Sequence, residues 1–185
     1  MRELSLFSGA GGGLLATKYL LGWECKGYVE YDNYCQKVIE QRIKDGLLDA
    51  APIFGDIKSF IAEGYAESYS GMVDVITSGF PCQEFSVAGK RAGEKGSRNK
   101  WPETRDTIGI VRPRFVLLEN VPGLLSFPYV WTILSEITEM GYDCRWGIVG
   151  ADDAGAPHRR KRWWCRGEMA NSRYLCGWGN ESATS

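Results

Sequence analysis

The residues of this chain best able to do chemistry stand at the ends of short apolar runs. Cys82 follows Gly79-Phe80-Pro81, directly after the run Val73-Asp74-Val75-Ile76-Thr77-Ser78. That run reads as a buried strand, and Pro81 ends it because its ring nitrogen has no hydrogen to give a ladder. A thiol held on a strand-end turn can be an attacking group, since some thiolate is available near neutral pH. The competing reading is that a free cysteine simply fills core, the usual place for this residue type. Two further charged groups occupy similar settings. Glu119-Asn120-Val121 closes the run Phe115 to Leu118, and His158-Arg159-Arg160-Lys161-Arg162 leads into Trp163-Trp164-Cys165. Taken singly, each is explained as exposed charge.

A second constellation lies near the N-terminus. Leu4-Ser5-Leu6-Phe7 reads as a strand, followed by the turn Ser8-Gly9-Ala10-Gly11-Gly12-Gly13 and then by helical spacing at Leu14, Leu15, Lys18 and Tyr19 before Gly22. Strand, glycine turn and helix bring backbone N–H groups close to a ligand. Leu14 stands where a dinucleotide fingerprint wants its last glycine, so that match is incomplete. Glu30 ends a second strand at an offset suited to ribose hydroxyls, and Asp56 after a third strand can hold a polar edge such as an adenine amine. The turn therefore points to an adenosine-bearing cofactor. By itself it does not separate a nicotinamide dinucleotide from S-adenosylmethionine.

The elements that must position these groups alternate. Strands are predicted at Gly27 to Glu30, Ile53-Phe54, Val73 to Ser78 and Phe115 to Leu118. Asp32 caps a helix through Lys44, with Tyr34, Val38 and Ile39 inward and Gly46 ending it. Helical stretches fall near Phe60 to Tyr69 and Glu103 to Val111. A helix from Tyr129 to Met140 and strands at Tyr142 to Val149 and Arg162 to Cys165 follow. Alternation of this kind predicts a doubly wound α/β domain with a mostly parallel sheet. Its fourth and fifth strands then end on the edge that carries the glycine turn, so Cys82 and Glu119 converge there. The polar, basic stretch Cys82 to Trp101 reads as a lid or binding loop. One catalytic domain is expected over residues 1–168, with 169–185 an irregular tail.

Composition narrows the classes. The chain has 185 residues, 44% hydrophobic and 24% charged, enough for one domain with a sizeable core. No apolar stretch reaches membrane-helix length, and Met1-Arg2-Glu3 runs straight into a strand, so a cytoplasmic protein is expected. Six cysteines without a C-x-x-C pair, and one histidine, argue against zinc and for reduced thiols. Net charge is −1, but it is unevenly spread. Basic residues bunch at Lys90, Arg91, Lys95, Arg98 and Lys100, and again from Arg159 to Arg166. Two such clusters can present a phosphate-binding face on a nearly neutral protein.

The ordered set of the Phe7 to Gly12 turn, Glu30, Asp56-Ile57, Gly79 to Gln83, Glu119 to Val121 and Arg160-x-Arg162 resembles the DNA (cytosine-5)-methyltransferase family over about residues 3–166. The resemblance implies a Rossmann-like, S-adenosylmethionine-dependent fold and methyl transfer to carbon 5 of a cytosine in double-stranded DNA. It implies that Cys82 adds to carbon 6, which turns the ring into an enamine able to attack a sulfonium methyl. It gives Glu119 the ring N3, a role for which burial would raise the carboxyl pKa. It gives Arg160 or Arg162 the negative charge pushed toward O2. Phe7, Gly9, Gly11, Gly12, Glu30, Tyr31, Asp56, Ile57 and Pro81 would line the cofactor pocket. Gln83, Ser86, Lys90, Arg91 and Arg98 would meet DNA as the target base is extruded.

The pattern departs from the family in two ways. His158 stands where many relatives have Gln. The family also continues into a target-recognition region and two further motifs, which are not in this sequence. The expectation is a truncated form, or one part of a split enzyme whose second polypeptide supplies the rest. Alone, such a chain should bind cofactor weakly and transfer little methyl. The DNA target is not legible, nor whether methylation serves restriction–modification, phage protection or regulation.

Overall fold

A computed structural model describes residues 1–81, 99–126 and 128–170. In chain order the elements are β1 (Arg2–Leu6), α1 (Gly12–Leu21), β2 (Glu24–Val29), α2 (Asn33–Lys44), β3 (Ile53–Phe54), α3 (Ile57–Ala62), α4 (Tyr65–Ser68), β4 (Val75–Ser78), α5 (Trp101–Val111), β5 (Phe115–Asn120), α6 (Tyr129–Glu139), β6 (Tyr142–Val149) and β7 (Arg162–Met169). Short 3-10 turns at Pro122–Ser126 and Asp152–Ala154 complete them.

The strands form one sheet in the order β3-β2-β1-β4-β5-β7-β6. The first five are mutually parallel, while β7 runs antiparallel to both β5 and β6. This is the doubly wound sheet that the alternating pattern predicts. The order reverses between β1 and β4, and at such a switch point the connecting helices leave opposite faces and open a crevice.

Strand alternation decides what each face meets. Leu4 and Leu6 of β1, Ile76 of β4, and Val116 and Leu118 of β5 are buried against Phe60, Ile108, Val111, Ile133 and Ile137 from α3, α5 and α6. Each such aliphatic side chain contributes roughly 1.5–3 kcal/mol relative to exposure. On the opposite face, α1 and α2 cover β2 through Leu14, Ile39, Cys25 and Tyr28. Beyond β1 that face carries Thr77, Leu117, Glu119 and Trp164 into an open cavity.

Several predicted details differ. Tyr34 points outward, 72% exposed, because only Ile39 of α2 is buried against the sheet. Phe60 to Tyr69 is two short helices rather than one, broken at Gly64, which has φ +78°. The last strand extends to Met169, where pairing with Tyr142 holds it.

Candidate active site

The site is assembled at the carboxyl edge of the parallel strands. β1 ends at Leu6, and the chain turns through Phe7 (φ +55°), Gly9 (φ +56°) and Gly11 (φ +88°) into α1. Positive φ suits glycine but is uncommon for phenylalanine, and such strained positions gather at functional sites. The neighbouring strand holds this turn in place. Gly9 N–H donates to Glu30 Oε2 at 2.6 Å, and Asp32 N–H donates to Glu30 Oε1 at 2.8 Å. Each carboxylate oxygen keeps further lone-pair capacity for a hydroxyl donor. A Cβ built on Gly9 or Gly12 would meet nothing within 4 Å, so the turn's backbone faces open space.

Two cavities flank Phe7. One, of about 310 Å³, is lined by Phe7, Tyr31, Asp56, Ile57, Lys58 and Lys100. Asp56 caps α3 by accepting from Lys58 N–H at 3.1 Å, which aims the first turn of that helix at the cavity. The other, of about 490 Å³, runs between α1 and the sheet and reaches Phe7, Ser8, Gly79, Glu119 and Trp164. Phe7 is the shared wall.

The reactive edge of the second cavity is built from β4, β5 and β7. Because β7 is antiparallel, its first residue, Arg162, lies at the edge where β5 ends. Arg162 Nε sits 2.7 Å from Glu119 Oε1. A Cβ on Gly79 would lie 3.6 Å from Glu119 Oε2, so the turn after β4 passes against this carboxylate. Asn120 fastens the same turn: its Nδ2 donates to Phe80 O at 3.0 Å while its Oδ1 accepts from Val121 N–H at 2.8 Å. Phe80 is buried beside Trp101, with ring centroids 5.5 Å apart, and Lys100 N–H donates to Pro81 O at 3.4 Å. A carboxylate, a guanidinium and the backbone immediately before Cys82 therefore meet at one place.

A model of the C-5 cytosine-specific DNA methylase family matches residues 1–177. The chain belongs to that family. Among its relatives are the type II methyltransferases M.CviJI of Paramecium bursaria Chlorella virus IL3A, 32% identical over 89% of this chain and 42% of the relative, and M.HpaII of Haemophilus parainfluenzae, 34% identical over 86% and 43%. The chain thus spans less than half the length of these curated relatives. Its fold is shared with S. pombe Dnmt2 (TM-score 0.70, 20% identity, 91% of this chain and 49% of that one). It is shared as well with a DNMT2 variant of Spodoptera frugiperda (TM-score 0.69, 19% identity, 100% and 53%).

Within this C-5 cytosine methylase domain, the expected cofactor residues Phe7, Tyr31, Asp56 and Ile57 line the smaller cavity. Gly9, Gly11 and Gly12 lie on the turn into α1 that Glu30 holds, whereas Pro81 lines neither cavity. Arg162 meets Glu119, whereas Arg160 is exposed. Glu119 is not deeply buried; its side chain is 32% exposed and its neighbour is a cation, which corrects the expectation of burial alone. Cys82, Gln83, Ser86, Lys90, Arg91 and Arg98 lie outside the described residues. The described cysteines line neither cavity. Burial pushes the Cys25 thiol up to about 12, and a hydrogen bond with Cys144 raises Cys165. Sequence reasoning did not anticipate the bracket made by Asn120, nor Lys58 and Lys100 beside the smaller cavity. An amide on the last residue of a strand and two scattered lysines carry no periodic signal. No helix among the described residues is long and apolar enough to cross a membrane.

Proposed function

We propose that this chain is the catalytic core of a DNA (cytosine-5)-methyltransferase that takes its methyl group from S-adenosylmethionine. The observation carrying this reading is the meeting of Glu119, Arg162 and the Gly79–Pro81 turn at the edge of a cavity that Glu119 and Gly79 line and that shares Phe7 with a second cavity. The smaller cavity fits an adenosyl group. Phe7 offers a ring, Asp56 an acceptor for the exocyclic amine, and Glu30 lone pairs for ribose hydroxyls, while the glycine turn leaves room for close approach. When bound, S-adenosylmethionine supplies an electrophilic methyl on a cationic sulfur.

The chain's own residues would do the rest. The Cys82 thiolate adds to carbon 6 of an extruded cytosine, and its electron pair moves the ring π-electrons toward carbon 5. Glu119 engages N3, and Arg162, with its guanidinium fixed by Glu119, stabilises charge at O2. After carbon 5 has gained the methyl group, a base removes the carbon 5 proton and the thiolate leaves, restoring the ring and the enzyme. Gln83, Ser86, Lys90, Arg91 and Arg98 would contact double-stranded DNA, Lys and Arg through phosphates.

Further polypeptide belongs to this reading. Largely parallel sheets are stable with both faces covered. Here Leu117 and Trp164 face an open cavity and Leu20 of α1 is 81% exposed. A target-recognition part, on the same chain or on a second polypeptide, would cover that face.

DNA in which every cytosine is replaced by 5-fluorocytosine tests the proposal without knowledge of the target sequence. With S-adenosylmethionine present, the expected outcome is a covalent protein–DNA adduct that is lost in Cys82→Ser. An adduct that persists in that variant, or none even when a recognition part is supplied, would refute it.

A further inference from the structure

One charged cluster beside the smaller cavity has no part in the chemistry above. Lys58 Nζ and Lys100 Nζ both approach Glu103 Oε1, at 3.7 and 3.2 Å. Lys58 and Lys100 line the cavity, and so does Asp56. Glu103, in the first turn of α5, stands just behind them with its side chain mostly buried. Its other oxygen, Oε2, is buried and has no hydrogen-bond partner among the described residues.

Stability accounts only for the Lys100–Glu103 pair, at the start of α5 where a carboxylate is favoured. Lys58 is largely exposed, and ion pairs of that kind contribute little. A buried acceptor without a donor is unfavourable and calls for a cause. Charge balance supplies one. Lys58 and Lys100 would place two ammonium groups at the wall of the cavity, and Asp56 offsets only one. Glu103 brings the total at this wall to zero, apart from the Glu30 carboxylate, which is already engaged by Gly9 and Asp32 N–H.

We infer that the Lys58–Glu103–Lys100 cluster is a charge-tuning element that sets the relative affinity of this pocket for the cationic cofactor and its neutral product. The inference rests on the reading that the cavity holds the adenosyl group. Methyl transfer removes the positive charge from sulfur and leaves the amino and carboxylate groups of the ligand unchanged. S-adenosylmethionine and S-adenosylhomocysteine therefore differ, for the pocket, mainly by one unit charge. A pocket wall with an unbalanced ammonium would repel the first and favour the second, which would promote inhibition by product. Glu103 is a positioning and balancing residue here, not one that touches the reacting atoms.

The test is titration calorimetry of the full chain with each ligand in turn. Glu103→Gln should weaken S-adenosylmethionine relative to S-adenosylhomocysteine by about threefold to tenfold, the effect of one unit charge a short, partly hydrated distance away. Lys58→Met and Lys100→Met should each move the ratio in the opposite direction, and Glu103→Gln combined with Lys100→Met should return it toward the starting value. All the shifts should shrink as salt is raised. Lys58→Met, on an exposed side chain, keeps the test valid if Glu103→Gln folds poorly. Equal effects on both ligands, or shifts of the same sign for acid and lysine variants, would overturn the inference and leave the cofactor reading intact. Binding of neither ligand by the unaltered chain, even with a recognition part supplied, would overturn both.

Discussion

Glu119 and Arg162 lie 43 positions apart in the chain and 2.7 Å apart in space. Their pairing separates two arginines that sequence left equivalent. Arg160, two residues earlier, is exposed before β7 begins, whereas Arg162 is the first residue of the strand and shares its edge with Glu119. The guanidinium places Nε on the carboxylate and keeps its terminal nitrogens for other acceptors, one of them Lys161 O at 2.9 Å. A lysine would keep the charge but lose that planar fork. Arg162→Lys should therefore slow adduct formation on 5-fluorocytosine DNA by roughly 10- to 100-fold. Cofactor affinity, read by calorimetry, should stay near that of the unaltered chain.

At the scale of elements, β4 and β5 are joined beyond their ladder by one amide. Asn120 accepts from the backbone after it and donates to Phe80 O on the turn that leads into Cys82. It is buried, so the groups it satisfies would not find water if it were removed. Asn120→Ala should cost about 1–3 kcal/mol, measured as a lower denaturant midpoint. It should also slow adduct formation more than the stability loss explains, because the turn before Cys82 loses its tether. The Glu119-Asn120-Val121 triplet was conspicuous in sequence. The tethering role of its middle residue was not, because the partner carbonyl is 40 positions away.

At the scale of the molecule, the two faces of the sheet differ in how they are closed. α3, α5 and α6 bury one face. The other, toward β4, β5 and β7, is open, and a carboxyl lies buried at the floor of its cavity. Glu3 accepts from Thr17 Oγ1 of α1 at 2.6 Å and from Thr77 Oγ1 of β4 at 2.5 Å. Burial is the main cause that raises its pKa above the ordinary carboxylate value. A raised folded-state value means that the contribution of Glu3 to stability is fully present below the unfolded value and is lost as pH rises through the folded one. Glu3→Gln should accordingly gain in melting temperature relative to the unaltered chain as pH rises from about 4 to about 8. A difference that stays flat over that range, measured by thermal unfolding, would contradict the burial argument.

Much of this protein was legible because it is written in local spacing. Alternation of apolar residues marked the strands, the glycine turn marked the start of α1, and Asp32 marked the cap of α2, since each depends on neighbours a few residues away. Tyr34 shows the limit: helical spacing predicts a stripe, but what packs against that stripe settles which residues are covered. The sequence alone determined the fold class, the family and the chemical types available at the strand tips. Tertiary structure alone decided that β7 runs backwards and delivers Arg162 to Glu119, that Asn120 holds the Phe80 turn, and that Glu103 draws Lys58 and Lys100 together. Strand direction, register and the approach of distant side chains arise from packing among remote segments, and no short window of residues contains that information.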